Sequence, residues 1–205
     1  MIAIVDYGVG NLGSIRNMFK RVGIKSVVSS APEELRRASK LLLPGVGSFD
    51  YGMSHLNASG LRPLLTQMVC VDRVPILGIC LGMQLFTLSS EEGTEAGLGW
   101  LDARTIRFRF PPTFAQLKVP HMGWSDLEKA RDCRLLTGLP IEARAYFVHS
   151  YHVQLQVPQD AVLTSSYGHK FVSAVEKDNI LGVQFHPEKS HRFGMTILWN
   201  FANLY

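Results

Sequence analysis

One run of the chain reads Pro75-Ile76-Leu77-Gly78-Ile79-Cys80-Leu81-Gly82, an apolar segment that ends in a glycine-flanked cysteine. A continuous apolar run of this length is typical of a buried strand in a parallel sheet. The glycines on either side of Cys80 predict a sharp strand-to-helix turn, the cysteine version of the G-x-S-x-G nucleophile elbow. We therefore expect a strand over 75–79 and a helix over about 81–88.

Such an elbow would prepare Cys80 for chemistry in two ways. The thiol would lie at the N-terminus of a helix, whose dipole favours the thiolate. The N–H of Leu81 would point toward the position at which an oxyanion forms. Taken alone, the same run also fits a buried structural cysteine between two packing glycines.

The rest of the first half repeats this alternation of strand and helix. The predicted strands are Ile2–Val5, 26–28 and 41–43, and the predicted helices cover about 11–22, 33–38 and 60–69. Strands separated by helices require right-handed crossovers, and therefore a parallel sheet with helices on both faces.

The second half has a different pattern. Segment 104–110, Arg-Thr-Ile-Arg-Phe-Arg-Phe, alternates polar and apolar residues, which predicts a strand with one solvated face. Further strands are expected at 144–148, 161–165, 171–175 and 180–185, and a last helix from about Ser190, a suitable N-cap. The predicted fold is a single α/β domain over 1–205: an open, mostly parallel sheet with an antiparallel extension in the C-terminal half, as in flavodoxin-like proteins.

The composition excludes several classes of protein. Hydrophobic residues make up 46% and charged residues 19% of the chain, the balance of a globular protein without a disordered tract. The net charge of +4 comes from scattered Lys and Arg residues, which suits an anionic small molecule or acidic partner or is incidental. No apolar run approaches the roughly 18 residues of a membrane span. The N-terminus reads as a strand rather than as a signal peptide.

The cysteine content indicates the redox environment. Cys70, Cys80 and Cys133 are an odd number without the short spacing of metal ligands. This pattern argues against a disulfide framework and against a zinc site. Reduced thiols in the cytoplasm fit it best.

A second motif supplies the partners that a nucleophilic cysteine needs. Gln184-Phe185-His186-Pro187-Glu188 follows directly on the predicted strand 180–185. In extended chain His186 and Glu188 project to the same side, and Pro187 disfavours a helix there. The carboxylate could then hold one imidazole nitrogen while the other faces the thiol. The order Cys, His, Glu differs from that of α/β-hydrolases. A loop with a solvated Glu is the alternative.

Together these motifs resemble a known family, the class I (triad) glutamine amidotransferases. The resemblance extends over essentially the whole chain and is closest to the glutaminase subunits that serve histidine biosynthesis. The segments that carry it are Asp6-Tyr7-Gly8-Val9-Gly10-Asn11-Leu12, Leu43-Pro44-Gly45-Val46-Gly47-Ser48-Phe49, Gly78-Ile79-Cys80-Leu81-Gly82-Met83-Gln84, Val119-Pro120-His121-Met122-Gly123-Trp124, Tyr146-Phe147-Val148-His149-Ser150-Tyr151 and Phe185-His186-Pro187-Glu188.

The resemblance implies a mechanism without a bound cofactor. Cys80 would attack the side-chain amide of L-glutamine, His186 would protonate the departing ammonia, and Glu188 would orient His186. Water would then hydrolyse the glutamyl thioester. The loop Gly45, Val46 and Gly47 would supply an oxyanion donor beside Leu81. Gln84, with Gly47, would bind the α-amino and carboxylate end of the substrate.

The resemblance also implies a partner. In the family, ammonia passes into a (β/α)₈-barrel cyclase subunit that makes imidazole glycerol phosphate and the aminoimidazole ribotide AICAR. The positions that match the family's docking face are Asn11, Pro120, His121, Met122, Gly123, Trp124, Tyr146 and Lys189.

Two positions depart from the family pattern and bear on the partner. Ser125 stands where the family usually has Asn, and His191 stands where it usually has Gln. Neither belongs to the triad. Related subunits donate ammonia for amidation of bacterial surface sugars, so that pathway is the alternative destination. Peptidases that share the elbow would instead act on extended γ-glutamyl substrates without a partner.

Binding modules are the other class considered. Gly8-Val9-Gly10-Asn11-Leu12-Gly13 fits the dinucleotide fingerprint, but the acidic residue expected about 20 residues later is missing. We expect a tight turn facing the partner rather than a nucleotide site. We interpret three arginines of segment 104–110 as the solvent-exposed side of a strand rather than as a nucleic-acid-binding surface, namely Arg104, Arg107 and Arg109. His149 and His152, three apart in a strand, should face opposite sides, so no metal site is predicted.

Overall fold

The computed structural model describes residues 1–205 and is built around an eleven-stranded mixed sheet, with a separate two-stranded sheet beside it. The strands are β1 (Ile2–Val5), β2 (Ser26–Ser29), β3 (Lys40–Gly45), β4 (Ile76–Cys80), β5 (Ser89–Ser90), β6 (Ala103–Arg107), β7 (His121–Asp126), β8 (Glu128–Lys129), β9 (Arg144–His149), β10 (Tyr151–Leu155), β11 (Ala161–Tyr167), β12 (His169–Lys177) and β13 (Ile180–Val183). The α-helices are α1 (Leu12–Arg21), α2 (Pro32–Arg36), α3 (Phe49–Ala58), α4 (Arg62–Thr66), α5 (Leu81–Gln84) and α6 (His191–Leu204).

The large sheet has a parallel half and an antiparallel half. Nine of its strands follow the order β2-β1-β3-β4-β13-β12-β10-β6-β5, and β11 branches off by pairing with β12 and with β8. The strands from β2 to β13 in this order pair in parallel. Antiparallel pairing begins where β12 meets β13 and continues through β10 to β6. The small sheet pairs β7 with β9. The predicted fold class, a mostly parallel sheet with an antiparallel extension, is confirmed.

Hydrophobic residues fill both faces of the parallel half, because successive side chains of a strand point to opposite sides. On β1, Ile2 and Ile4 join the cluster that includes residues of α1 and α6. Ala3 and Val5 join the cluster that includes residues of α3 and α4. The helices thus cover both faces, as expected for parallel strands buried on two sides. None of the helices combines the length and apolarity that a bilayer crossing requires.

Several helices differ from the sequence expectation. Helix α3 was not predicted, because Gly52 and polar residues weaken the pattern in Phe49–Ala58. It forms because Phe49, Met53 and Leu56 are buried against the sheet. The helix expected at 60–69 is divided into α4 and a π-helical turn. The helix expected at 81–88 ends at Gln84, so α5 is a single turn.

The C-terminal half contains strands that the sequence pattern missed. Strands β7 and β10 were not predicted, since neither is a simple apolar run. The alternation expected over 104–110 also fails within β6, where Thr105 is buried and Ile106 is only partly buried. Thr105 Oγ1 lies 3.2 Å from Thr87 Oγ1, so the hydroxyl that faces inward is hydrogen-bonded.

Replacing Phe201 with alanine should lower the free energy of unfolding by about 3 to 5 kcal/mol, since the substitution opens a cavity under α6. Phe201 is 0% exposed, whereas Trp199 on the same helix is 44% exposed and provides the matched control. Urea denaturation followed by circular dichroism measures both losses. Equal losses for Phe201→Ala and Trp199→Ala would contradict the packing of α6 described here.

Candidate active site

The turn at Cys80 has the geometry predicted for a nucleophile elbow. Cys80 ends β4 and adopts φ 54°, a left-handed conformation that non-glycine residues rarely occupy. A Cβ on Gly78 would lie 2.6 Å from Phe86 Cε2, and a Cβ on Gly82 would overlap the Leu43 carbonyl. Both neighbouring positions therefore require glycine. Because α5 is only one turn long, the helix-dipole contribution predicted for the thiol is smaller than expected.

His186 and Glu188 lie beside this turn because of the sheet. Strand β13 pairs in parallel with β4, with Val183 opposite Ile79, so both chains leave the sheet at the same edge. His186 Nδ1 is 2.8 Å from Glu188 Oε1, and both side chains are almost fully buried. The His186 main chain is fixed as well, because its N–H donates to Tyr146 O at 2.9 Å.

Opposing effects set the pKa of His186. Burial disfavours the charged ring and alone would lower the pKa. Hydrogen bonds and charges from Cys80 and Glu188 outweigh burial and raise the pKa of His186 to about 10. The imidazole therefore holds its proton at neutral pH, and the arrangement suits a thiolate–imidazolium pair.

A cavity of about 310 Å³ opens in front of the thiol. Six of its lining residues are predicted site residues, namely Val46, Gly47, Cys80, Leu81, Gln84 and His186. Two predicted docking residues, Pro120 and Lys189, line its rim. The remaining lining residues are Glu92, Val148, His149, Ser150 and Tyr151.

The loop at 45–47 packs against the cysteine turn, and a hydrogen bond from Tyr7 fixes the residue before it. Gly45 ends β3 opposite Cys80, and a Cβ on it would lie 2.8 Å from Gly82 N. The Tyr7 hydroxyl donates to Pro44 O at 2.7 Å in the buried interior. Burial and then the charge of Cys80 raise the pKa of Tyr7. Tyr7 lies in a segment that carries the family resemblance, but the sequence did not indicate this contact, because only the fold brings the end of β1 to this loop.

Gln84 is buried, and the NH₂ group of its side-chain amide is hydrogen-bonded within the protein. Its Nε2 donates to Tyr151 O and to Gln184 Oε1, each at 3.0 Å. Both N–H groups are thus used inside the protein. Only the side-chain oxygen is left for a ligand, so in this arrangement Gln84 can accept a hydrogen bond but cannot donate one.

Glu92 is a cavity residue that the sequence reasoning missed. Its Oε2 accepts a hydrogen bond from Phe49 N at 2.8 Å. Burial raises the pKa of Glu92, and the hydrogen bond from Phe49 opposes that shift. In the sequence Glu91-Glu92 resembles any exposed acidic pair, so no local signal distinguishes the second carboxylate.

Several of the predicted docking positions are exposed, and two of them, Pro120 and Lys189, line the cavity. Met122 is 62% and Trp124 37% exposed, and Asn11 is exposed at the start of α1. Lys189 Nζ lies 5.7 Å above the Tyr146 ring. The Trp124 ring stacks on His191 with centroids 5.4 Å apart. The two departures from the family pattern, Ser125 and His191, thus adjoin these docking positions.

His121, which was predicted as a docking position, is buried inside the protein and does not fit that role. It is 2% exposed, because its ring stacks on Tyr167 and Phe147. Its two nitrogens lie 3.1 Å from His149 Nε2 and 2.9 Å from Ser125 Oγ. The serine at 125 therefore completes an internal hydrogen bond.

The expectation that His149 and His152 face opposite sides is also wrong. The chain bends at Ser150, so β9 and β10 join different sheets and the alternation restarts. Both rings pack on Phe108, at 5.2 and 4.6 Å. Burial lowers the pKa of His149 to about 3 and of His152 to about 4. No group of three or more His, Cys, Asp or Glu side chains is arranged to hold a metal ion.

Known proteins are similar to this chain over its whole length. The protein-family model described as "Glutamine amidotransferase class-I" matches residues 3–203. A Pseudomonas aeruginosa protein named imidazole glycerol phosphate synthase subunit HisH 2 is 48% identical over 204 residues, which cover 100% of both chains. A Methanococcus maripaludis protein of the same name is 49% identical over 201 residues and 98% of both chains. A Bdellovibrio bacteriovorus subunit HisH is 47% identical over 204 residues and 100% of both chains.

Solved structures are similar in fold. A crystal structure described as a glutamine amidotransferase aligns with a TM-score of 0.76 at 19% identity, covering 100% of this chain and 98% of that one. PurLQS from Thermotoga maritima aligns with a TM-score of 0.73 at 16% identity, covering 99% and 97%. At these identities the likeness concerns the fold alone.

Replacing Glu188 with glutamine should destabilise the protein most below about pH 6.5 and progressively less as the pH rises through about 10. A pKa raised in the folded state stabilises the fold while the ring is charged, and this contribution disappears above the folded pKa. Urea denaturation at several pH values measures the effect. Glu142→Gln, at an exposed carboxylate, is the control. A loss of unfolding free energy that does not vary with pH would contradict the stabilisation of charged His186 by Glu188.

Proposed function

Because the chain belongs to the class-I glutamine amidotransferase family, we propose that it is the glutaminase subunit of imidazole glycerol phosphate synthase in histidine biosynthesis. The subunit hydrolyses L-glutamine to glutamate and ammonia. One observation carries the proposal: Cys80, on a strained elbow, shares a cavity with His186, whose ring is hydrogen-bonded to the buried Glu188 carboxylate behind it. The surface-sugar pathway is not favoured, because the relatives described above carry the synthase name.

The reaction proceeds through a thioester. The Cys80 sulfur attacks the side-chain carbonyl carbon of glutamine, and the C–N bond breaks as His186 gives its proton to the departing nitrogen. Ammonia leaves, and the glutamyl group stays on sulfur. Water then adds to the thioester while the neutral His186 accepts its proton. Glutamate departs, and the sulfur and the imidazolium are restored, with Glu188 orienting the ring throughout.

Negative charge develops on the same carbonyl oxygen in both steps, first in the amide and then in the thioester. Leu81 follows the nucleophile, and its N–H is among the first of α5, which have no acceptor within the helix. The loop Gly45, Val46 and Gly47 supplies the second donor, as the family resemblance implies. Tyr7 supports this loop through the carbonyl of Pro44. The loop is exposed at Val46 and Gly47, so a docked partner can contact it.

The amino-acid end of glutamine binds at the other end of the cavity. Its α-ammonium group needs acceptors, and two carboxylate or amide oxygens of the lining side chains have no donor within the protein: Glu92 Oε1 and Gln84 Oε1. Glu92 adds a negative charge in a half-buried place, where ion pairing is stronger than at the surface. Gln84 accepts a hydrogen bond from the substrate ammonium and does not donate to the substrate carboxylate, because both of its N–H groups donate within the protein.

The partner is the synthase's cyclase subunit, a (β/α)₈ barrel by the family resemblance. It docks on the face formed by Met122, Trp124, Tyr146 and Lys189, which adjoins the cavity. Ammonia passes to the cyclase, which uses it to make imidazole glycerol phosphate and AICAR. Channelling matters because ammonium, the main form near pH 7, is not a nucleophile. We propose a cytoplasmic location, which the free Cys80 thiol supports because such a nucleophile must stay reduced.

Cys80→Ala should abolish glutamine-dependent synthesis and leave ammonia-dependent synthesis by the assembled enzyme intact, because only the ammonia source is lost. Product formation with glutamine or with ammonium salt measures both activities. Cys70→Ala, at an exposed thiol outside the cavity, is the control and should keep both activities. Full glutaminase activity in Cys80→Ala would overturn the proposal.

Glu92→Gln should raise the KM for glutamine roughly 10- to 100-fold, the cost of a hydrogen bond to a charged group, with a smaller effect on kcat. Steady-state glutaminase kinetics with the partner present measure the two constants. Glu91→Gln, which alters the adjacent exposed carboxylate outside the cavity, is the matched control. An unchanged KM in Glu92→Gln would mean that the substrate ammonium binds elsewhere.

A further inference from the structure

Gln184 is a fully buried polar residue to which the mechanism above gives no role. It follows β13 directly, and its N–H continues the ladder by donating to Ser173 O at 2.9 Å. Its side chain lies on the α5 side of the sheet, because Gly182, two residues earlier, faces Met83. The backbone therefore fixes where this amide lies.

The Gln184 side chain links two parts of the site. Gln84 Nε2 is 3.0 Å from Tyr151 O and 3.0 Å from Gln184 Oε1. At its other end, Gln184 Nε2 is 3.7 Å from Cys80 Sγ. A continuous set of hydrogen bonds thus runs from a main-chain carbonyl to the nucleophile.

The polarity of this set follows from the main-chain carbonyl. Tyr151 O can only accept a hydrogen bond, so it requires the NH₂ end of Gln84. That NH₂ group in turn requires the oxygen of Gln184. The NH₂ group of Gln184 must then face Cys80, so the sulfur receives an N–H donor.

We propose that Gln184 is the neutral hydrogen-bond donor that stabilises the thiolate of Cys80. The proposal rests on the proposed function, in which that thiolate is the nucleophile. The sulfur also lies 3.8 Å from the main-chain oxygen of Val148, an acceptor that favours the protonated thiol. An amide N–H on a buried anion has the opposite effect, because it replaces part of the lost hydration. Gln184 also holds Gln84 with its oxygen free for substrate.

Gln184→Glu tests the donor with little change in shape. The new side chain keeps an oxygen for Gln84 and replaces the N–H at the sulfur with oxygen. The readout is the rate at which iodoacetamide alkylates Cys80 in the full-length protein between pH 5 and 10. Mass spectrometry of the Cys80 peptide separates this reaction from Cys70 and Cys133. The pH of half-maximal rate should rise by at least about one unit.

Gln184→Met is the second variant, since it keeps the volume and introduces no charge. It should shift the pH profile of Cys80 alkylation in the same direction. If circular dichroism shows that Gln184→Glu does not fold, the result for Gln184→Met tests the proposal by itself. Gln154→Glu makes the same chemical change at an exposed residue and should leave the profile unchanged. Wild-type profiles in folded Gln184 variants would overturn the proposal.

Glutamine hydrolysis by the wild-type protein is measured separately, with and without the cyclase. If glutamine is hydrolysed but the alkylation profile of the Gln184 variants does not move, the assignment of Gln184 fails alone. If the profile moves but the wild type hydrolyses no glutamine, the proposed function fails and the donor to sulfur stands.

Discussion

The parallel pairing of β4 with β13 places the two halves of the candidate site at one edge of the sheet. With Val183 opposite Ile79, the chains leave the sheet side by side, one into the cysteine turn and the other into His-Pro-Glu. Neither motif could act without this register, because a slip of one residue would turn every side chain to the other face. The glycines around Cys80 serve the same end, since they let α5 approach β3 closely.

Burial has opposite consequences for neighbouring histidines. His186 is buried between a carboxylate and a thiol, and these partners raise its pKa to about 10 despite desolvation. His149 lines the same cavity, but its partners are mainly a carbonyl and other imidazoles, and burial lowers its pKa to about 3. One ring is therefore charged and the other neutral at pH 7. The partner groups, rather than the degree of burial, decide which histidine can donate a proton.

The cavity and the docking face are parts of one surface. Pro120 and Lys189 line the cavity rim, while Trp124 and Met122 extend from it into solvent. A protein bound there would cover the mouth of the cavity and touch the exposed 45–47 loop. The two residues that depart from the family pattern, Ser125 and His191, contact residues of this face or lie directly behind it. Ser125 bonds to the buried His121, and His191 stacks on Trp124, so both help to set the shape of the face.

Local pattern in the sequence was enough to predict β1 to β4 and the cysteine turn, because apolar runs and flanking glycines act over a few residues. It also located the His-Pro-Glu segment, but the extended conformation expected there is wrong, since Pro187–Lys189 form a 3₁₀ turn that begins at the proline. The same local signals failed for α3, β7 and β10, whose polar or glycine-containing segments are stabilised by distant packing. Glu92 carries no local signal at all, and Tyr7 and Gln184 lie in recognisable segments that do not indicate what these two side chains contact. Their roles depend on contacts across 43, 37 and 104 positions of sequence. Only the tertiary structure, which fixes strand register and the bend at Ser150, decides such contacts.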